Sequence, residues 1–141
     1  MSFTTDITVR FAHVDAAGIV FFPRYFEMVN QTVEEWFEAE LGTSFHQLHL
    51  EGEHGVPAVR IETDFVKASR LGDRLRFALD VTSIGRSRVD LRIVVSCRGE
   101  ERVRIRLVVA FVSLEPLQSC PIPDALRAAM EKFLVPQSEP S

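Results

Sequence analysis

The residues best equipped for chemistry lie together near the N-terminus, in His13-Val14-Asp15-Ala16-Ala17-Gly18-Ile19-Val20-Phe21-Phe22-Pro23-Arg24-Tyr25. Asp15 puts a carboxylate in a loop of small residues. The apolar run at residues 19–22 then leads to Pro23, which suits a first helical turn because a helix start has no use for its missing N–H. A helix N-terminus presents unpaired N–H groups and the positive end of the helix dipole, a place where a developing oxyanion is stabilised. A carboxylate facing such donors, walled by Ile19, Phe21 and Phe22, is equipped to act as base or nucleophile on a polarised carbonyl. The plainer reading is an aspartate that caps a turn which Gly18 permits. His13 lies two residues before Asp15, so in an extended chain the two share a face and can pair as base and orienter.

Other reactive side chains are less well placed. His46, His49 and His54 have no Cys or Asp cluster beside them and read as loop histidines rather than metal ligands. Glu27, Glu34 and Glu35 fall on a helix and read as solvated or subunit-contact residues. Cys97 sits within a strand as a small hydrophobe, and Cys120 beside Pro121 has no base near it in sequence, so neither reads as a nucleophile.

The elements that position Asp15 emerge from periodicity. Phe3, Thr5, Ile7, Val9 and Phe11 alternate with polar residues as a half-buried strand. Phe26, Val29, Val33, Trp36, Phe37 and Leu41 recur at three- and four-residue spacing, which predicts one amphipathic helix over residues 23–41 that ends at Gly42. Residues 43–55 read as a loop with a short helical turn after Thr43 or Ser44. Four strands come next, marked by Val59, Ile61, Thr63 and Phe65; by Leu75, Phe77, Leu79 and Val81; by Val89, Leu91, Ile93 and Val95; and by Val103, Ile105, Leu107, Val109 and Phe111. The last is apolar on both faces in its second half, as a doubly buried strand would be, and Arg98-Gly99-Glu100-Glu101 links it to its predecessor as a hairpin. After Pro116 the chain reads as irregular until Pro123-Asp124 open a short helix carrying Leu126, Met130, Phe133 and Leu134. The expected fold class is α+β: an antiparallel sheet wrapped around one long central helix, in a single domain over residues 1–135 with a flexible tail at 136–141. Sheet edges and apolar sheet surface that one helix cannot cover point to self-association.

Composition bounds the function class. The chain has 141 residues, 46% of them hydrophobic and 26% charged, enough for one self-standing core. The longest apolar run, residues 107–112, is far too short to cross a bilayer, the first ten residues lack a secretory signal pattern, and two cysteines make no disulfide framework, so a cytoplasmic protein is expected. The net charge of −4 argues against nucleic-acid binding. It conceals an asymmetry, because residues 1–57 carry two basic against nine acidic residues while residues 58–114 carry twelve basic against seven acidic. Lys67 is the only lysine of that basic block; the rest are arginines, whose forked guanidinium suits phosphate and carboxylate, or which simply solvate the outer face of a sheet.

DAAGIVFFPRYFE, residues 15–27, resembles the signature of the hotdog-fold acyl-CoA thioesterases of the 4-hydroxybenzoyl-CoA thioesterase type. There a D-x-x-G-I/V-V-x-x-x-x-Y pattern joins the first strand to the central helix. The likeness extends to VPAVRIETDFVKASRLGDRL at 56–75 and IGRSR at 84–88, in the same order and spacing. The resemblance implies a hotdog domain that hydrolyses an acyl-CoA thioester without metal or redox cofactor, coenzyme A being part of the substrate. It implies a homodimer and, beyond that, a homotetramer. Asp15 matches the catalytic carboxylate, as nucleophile or as base toward water; Phe22 falls where a backbone N–H polarises the carbonyl, and Gly18 where the loop approaches the substrate. His13, Ile19, Phe21 and Tyr25 fall beside the acyl group, and Lys67, Arg70, Arg86, Ser87 and Arg88 in segments that meet coenzyme A. His13 stands where the aromatic-specific enzyme has Asp, and Phe22 replaces a Tyr. Both departures bear on the acyl group, which is aromatic, of benzoyl type, or medium-chain aliphatic. Two alternatives are a hotdog dehydratase or hydratase with His13 as base, and a non-catalytic acyl-CoA-binding protein.

Overall fold

In the computed structural model, which describes residues 1–136, the alternating segments become β1 (Phe3–Thr8), β3 (Ala58–Phe65), β4 (Arg74–Ile84), β5 (Arg88–Cys97) and β6 (Glu100–Ala110). They form one antiparallel sheet in the order β1-β4-β5-β6-β3. The long helix, α1 (Pro23–Trp36), runs straight on into a wider π-helical turn over Phe37–Leu41 and stops at Gly42, whose φ of 76° is the left-handed cap expected there. Its buried stripe is Tyr25, Met28, Val29, Thr32, Val33 and Trp36. Phe26, expected in that stripe, is only partly buried, and Thr32 takes an inward position because its hydroxyl donates to the Met28 carbonyl at 2.8 Å.

That stripe and the inward side chains of the sheet make one core. Leu75, Phe77, Leu79 and Val81 of β4 meet Val89, Leu91, Ile93 and Val95 of β5 and Val103, Ile105, Leu107 and Val109 of β6. Trp36 stands edge-on to Phe37 and Phe133 at ring separations of 5.6 and 5.7 Å, closing the far end of the core. From Val109 through Val112 every residue is buried, so the end of β6 is covered on both faces as its sequence predicts.

Four expectations need correction. Phe11 is not on the β1 face: after Val9 the chain leaves the sheet for a 3-10 turn at Phe11–His13, and Phe11 is 82% exposed. The cause is local, since Val9 exchanges hydrogen bonds with Asp73 and Gly72 (2.8 and 2.9 Å) instead of continuing along β4. Strand β3 is not half-buried: Val59, Ile61 and Phe65 stay 41–50% exposed because β3 is the sheet edge and α1 does not cover it. The region after Pro116 is not irregular: β2 (His54–Gly55), β7 (Val112–Leu114) and β8 (Leu117–Ser119) form a small sheet whose strands are too short to show alternation. Finally, α2 (Asp124–Glu131) ends before Leu134, which is exposed and lies beside Val81 of β4. Of the expected tail, residues 137–141 lie outside the described residues.

Candidate active site

Residues 13–21 fold into a narrow ribbon. The Phe21 N–H donates to the His13 carbonyl (2.9 Å), Val14 bridges Val20, and the Asp15 N–H donates to the Ile19 carbonyl (3.0 Å). A turn closes the tip, with the Gly18 N–H on the Asp15 carbonyl at 3.0 Å and the Ala17 N–H on Asp15 Oδ1 at 2.9 Å. Gly18 has a φ of 78°, and a Cβ added there would meet nothing within 4 Å, so glycine serves the backbone conformation and not a close contact. Period-two alternation along the ribbon turns Val14 and Val20 to the core and leaves His13, Asp15, Ile19 and Phe21 together on the outer face. The turn cap uses only one of the two Asp15 carboxylate oxygens.

The ribbon delivers the chain to α1. Phe22 is helical in backbone angle and Pro23 has no N–H, while the Arg24 and Tyr25 N–H groups already bond to the Phe21 and Phe22 carbonyls (2.8 and 3.1 Å). The Phe22 N–H has no hydrogen-bond partner among the described residues. It lies three residue steps beyond the Asp15–Ile19 pair, roughly 10 Å along the ribbon. The Phe22 ring meets those of Phe21 and Phe65 edge-on at 5.7 and 6.1 Å, and all three rings are about half exposed, forming an open aromatic wall. Tyr25, expected beside the substrate, is buried against Phe65 (5.9 Å), since it lies three residues past Phe22 on the core-facing stripe of α1. That burial pushes its phenol pKa up, with the Ser69 hydroxyl opposing the rise.

A second segment, residues 66–73, backs the ribbon: the Val20 N–H donates to the Ser69 carbonyl (2.9 Å) and the Leu71 N–H to the Gly18 carbonyl (3.1 Å). It carries Lys67 and Arg70, which with Arg98 and Arg102 line a cleft of about 400 Å³ that also contains Asp73 and Glu100. Lys67 pairs with Glu100 at 2.8 Å. The Arg70 N–H, seconded by the Arg102 guanidinium, holds the Asp73 carboxyl below its usual range. Arg86, Ser87 and Arg88 lie elsewhere, at the β4–β5 turn, where the Ser87 carbonyl accepts the Phe111 N–H at 2.7 Å. β4 has 11 residues, so the two basic groups are separated by roughly 33 Å in one chain. A second cleft, of about 380 Å³, lies on the outer sheet face among Arg60, Arg92 and Arg106, away from Asp15.

Sequence reasoning missed Phe65 as part of the aromatic wall, Arg98 as part of the cleft, and Arg102 as a buried cation behind it. Phe65 and Arg98 carry the ordinary signals of a strand end and a hairpin turn. The histidines of the loop are engaged locally: His49 Nδ1 bonds the Phe45 carbonyl (2.7 Å) and His54 stacks on Phe111 (5.0 Å). No group of three or more His, Cys, Asp or Glu suited to a metal ion occurs among the described residues.

The family model of the Thioesterase-like superfamily matches residues 9–130, a span that holds the ribbon, α1 and the sheet from β3 to β6. A 1,4-dihydroxy-2-naphthoyl-CoA hydrolase of Thermosynechococcus vestitus is 33% identical over 122 residues, covering 86% of this chain and 83% of that protein. A protein of the same name from Synechocystis sp. is 25% identical over 131 residues, covering 92% and 94%. Among solved structures, a 1,4-dihydroxy-2-naphthoyl-CoA thioesterase from Synechocystis superposes with a TM-score of 0.85 at 24% identity, covering 94% of this chain and 98% of that one. A gentisyl-coenzyme A thioesterase superposes with a TM-score of 0.81 at 23% identity, covering 89% and 99%. The hotdog architecture, an antiparallel sheet around a long helix, is common to this chain and these structures.

Proposed function

Because the chain belongs to the Thioesterase-like superfamily and is an acyl-CoA thioester hydrolase, we propose that it cleaves an aromatic acyl-CoA at the ribbon of residues 13–21, with Asp15 as the reacting carboxylate. The observation that carries this is the sharing of one ribbon face by Asp15, Ile19 and Phe21, ending at the unpaired Phe22 N–H. A thioester carbonyl needs about 3 Å to a hydrogen-bond donor and a similar distance to an attacking oxygen, so the Asp15 side chain and the bound ester together span the backbone separation of roughly 10 Å. Asp15 Oδ2, the oxygen not committed to the turn, either adds to the carbonyl carbon and expels the CoA thiolate, leaving an acyl anhydride that water then opens, or takes a proton from a water that adds to the carbonyl, whose tetrahedral adduct then expels the CoA thiolate. Both routes give the free acid and CoA, are redox-neutral and call for no cofactor beyond the CoA of the substrate.

The acyl group lies on the wall of Phe21, Phe22 and Phe65 with Ile19 beside it. Three rings presented edge and face favour a flat aromatic acyl group over an alkyl chain, and the hydroxylated aryl-CoA esters named for the relatives belong to that class. His13 weighs against the hydratase reading. Its Nδ1 accepts the Arg10 N–H at 2.8 Å, so the neutral ring has its lone pair engaged and carries its proton on Nε2.

The working unit in this proposal is a homodimer. β3 offers an unpaired edge with Val59, Ile61 and Phe65 exposed, and antiparallel pairing of two such edges turns one copy end for end. That brings the turn at residues 86–88 of one copy to the level of Asp15 in the other, so both basic groups can meet one CoA. A homotetramer of two such dimers and residence in the cytoplasm complete the proposal; Cys97 and Cys120 are free thiols, as a reducing compartment keeps them.

The test is free-thiol release from benzoyl-CoA, 1,4-dihydroxy-2-naphthoyl-CoA and octanoyl-CoA, by wild type and by Asp15→Asn. The expected result is faster turnover of the aryl esters and a loss of about a thousandfold or more in kcat for Asp15→Asn with binding retained. Turnover unchanged in Asp15→Asn would overturn the role of Asp15, and a preference for octanoyl-CoA would overturn the aromatic substrate.

A further inference from the structure

We infer that Arg102 is a positioning residue of the hydrolysis, holding the Asp15 ribbon in register through residues 66–73; this rests on the Asp15 reading above. Arg102 occupies an unusual place in its strand. Along β5 and β6 the register runs Val95↔Val103 and then Ser96↔Glu101, so Arg102 is the extra residue of a β-bulge. Arg104 and Arg106, which keep the alternation, are exposed, whereas the bulge turns the Arg102 side chain inward until the residue is 5% exposed.

A guanidinium out of water is tolerated only when it finds polar partners, and here the hydrogen bonds of Nη1 and Nε converge on one segment and its strand neighbour. The two hydrogens of Nη1 are shared among the Ala68 carbonyl (3.1 Å), Ser69 Oγ (3.2 Å) and Asp73 Oδ2 (3.0 Å), and Nε donates to Glu100 Oε1 (2.9 Å). The bulge carbonyl is used as well, accepting the N–H groups of Val66 (2.8 Å) and Lys67 (3.1 Å). One residue thus fastens both ends of residues 66–73. That segment in turn makes the two hydrogen bonds that hold the return arm of the ribbon, Val20 N–H to Ser69 and Leu71 N–H to Gly18. Ile19, between those bonds, is the residue whose carbonyl receives the Asp15 N–H. The path from the Arg102 guanidinium to the Asp15 backbone is therefore continuous and short. A displacement of about 1 Å at a reacting group is enough to cost orders of magnitude in rate, so the fork of Arg102 governs turnover without touching substrate.

The experiment compares Arg102→Gln and Arg102→Lys with wild type and Asp15→Asn in the full chain. Three quantities are read: the number of binding sites and Kd for phenacyl-CoA, in which a methylene separates carbonyl from sulfur; kcat per binding site on the aryl-CoA that wild type cleaves fastest; and hydrogen exchange at the Val20 and Leu71 amides. Arg102→Gln is expected to keep its binding sites, with Kd within about threefold, to lose at least about thirtyfold in kcat per site, and to exchange those two amides at least about tenfold faster. Exchange at Ile93 and Ile105 should stay as in wild type. Arg102→Lys, which keeps the charge but not the fork, should fall between. Wild-type kcat per site in Arg102→Gln, or unchanged exchange at Val20 and Leu71, would overturn the inference. So would a loss of binding sites in step with activity, the mark of a purely structural role. If Arg102→Gln does not fold, Ser69→Ala removes one partner and is read the same way. Should Asp15→Asn hydrolyse like wild type, the catalytic reading fails, and amide exchange alone then decides whether Arg102 holds the ribbon.

Discussion

Arg10 and His13 hold each other by two hydrogen bonds: the His13 N–H donates to the Arg10 carbonyl at 2.9 Å, and the Arg10 N–H donates to His13 Nδ1 at 2.8 Å. The pair shapes the 3-10 turn that leads into the ribbon and directs the Nε2–H of a neutral His13 outward, as a donor rather than a base. His13→Asn, which keeps an acceptor for the Arg10 N–H, is accordingly expected to retain thiol release to within about tenfold. A loss comparable to that of Asp15→Asn would restore His13 as the base.

The basic groups at the two ends of the sheet make separate predictions. Arg70→Ala and Arg98→Ala should raise KM several-fold at low ionic strength with kcat nearly unchanged, and the difference should shrink at about 0.5 M salt, where charges are screened within a few ångströms. Arg86→Ala should do the same only while the dimer is intact. A KM effect of Arg86→Ala in a monomeric variant would contradict the arrangement proposed for the two copies.

Ile61→Lys tests the β3 edge directly. The residue is 41% exposed in the single chain, so a charge there costs little in the monomer but blocks pairing of apolar edges. Sedimentation velocity should show a shift from dimer to monomer with far-UV circular dichroism retained, and thiol release should fall with it.

Gly18→Ala isolates the conformational part of the loop. With a φ of 78° and open space around the position, the substitution should destabilise by about 1–2 kcal/mol through backbone strain alone. Gly18→Asn, which tolerates the left-handed region better, should cost less. Thermal denaturation of the two variants gives the comparison; equal losses would mean that packing rather than φ sets the requirement.

Asp73 sets an acid limit on stability. Its pKa is lowered in the fold, first by the Arg70 N–H and then by the Arg102 guanidinium. A carboxyl that ionises more readily folded than unfolded adds stability above its unfolded pKa of about 3.9, and that contribution is lost as pH falls through the folded value. Asp73→Asn should therefore lower Tm at pH 7, and the gap from wild type should close below about pH 4. A gap that persists unchanged at about pH 3 would show that the loss is steric.

Most of the scaffold was legible because it depends on local spacing. The alternations in β4, β5 and β6 and the three- and four-residue recurrence along α1 each select a backbone period irrespective of distant neighbours. The turn at Arg98 and Gly99, both with positive φ, is signalled by Gly99 between two alternating strands. Elements with less than one full period, such as β7 and β8, left no such trace. Phe11 continued the β1 alternation in sequence while the chain itself turned away to meet Gly72 and Asp73.

That a carboxylate stands in a small-residue turn just before a Pro-started helix, and which faces of strands and helix are apolar, are properties of neighbours along the chain and can be read there. Packing between distant segments sets the rest: Ile19 and Phe21 join His13 and Asp15 on one ribbon face, Tyr25 is withdrawn behind it, and the two basic groups lie at opposite ends of the sheet. Arg102 shows the reason most sharply. In sequence it alternates with Val103 just as Arg104 does with Ile105, and nothing local distinguishes the two arginines. The register shift between β5 and β6 buries one and exposes the other, and register is a relation between strands that no single strand contains.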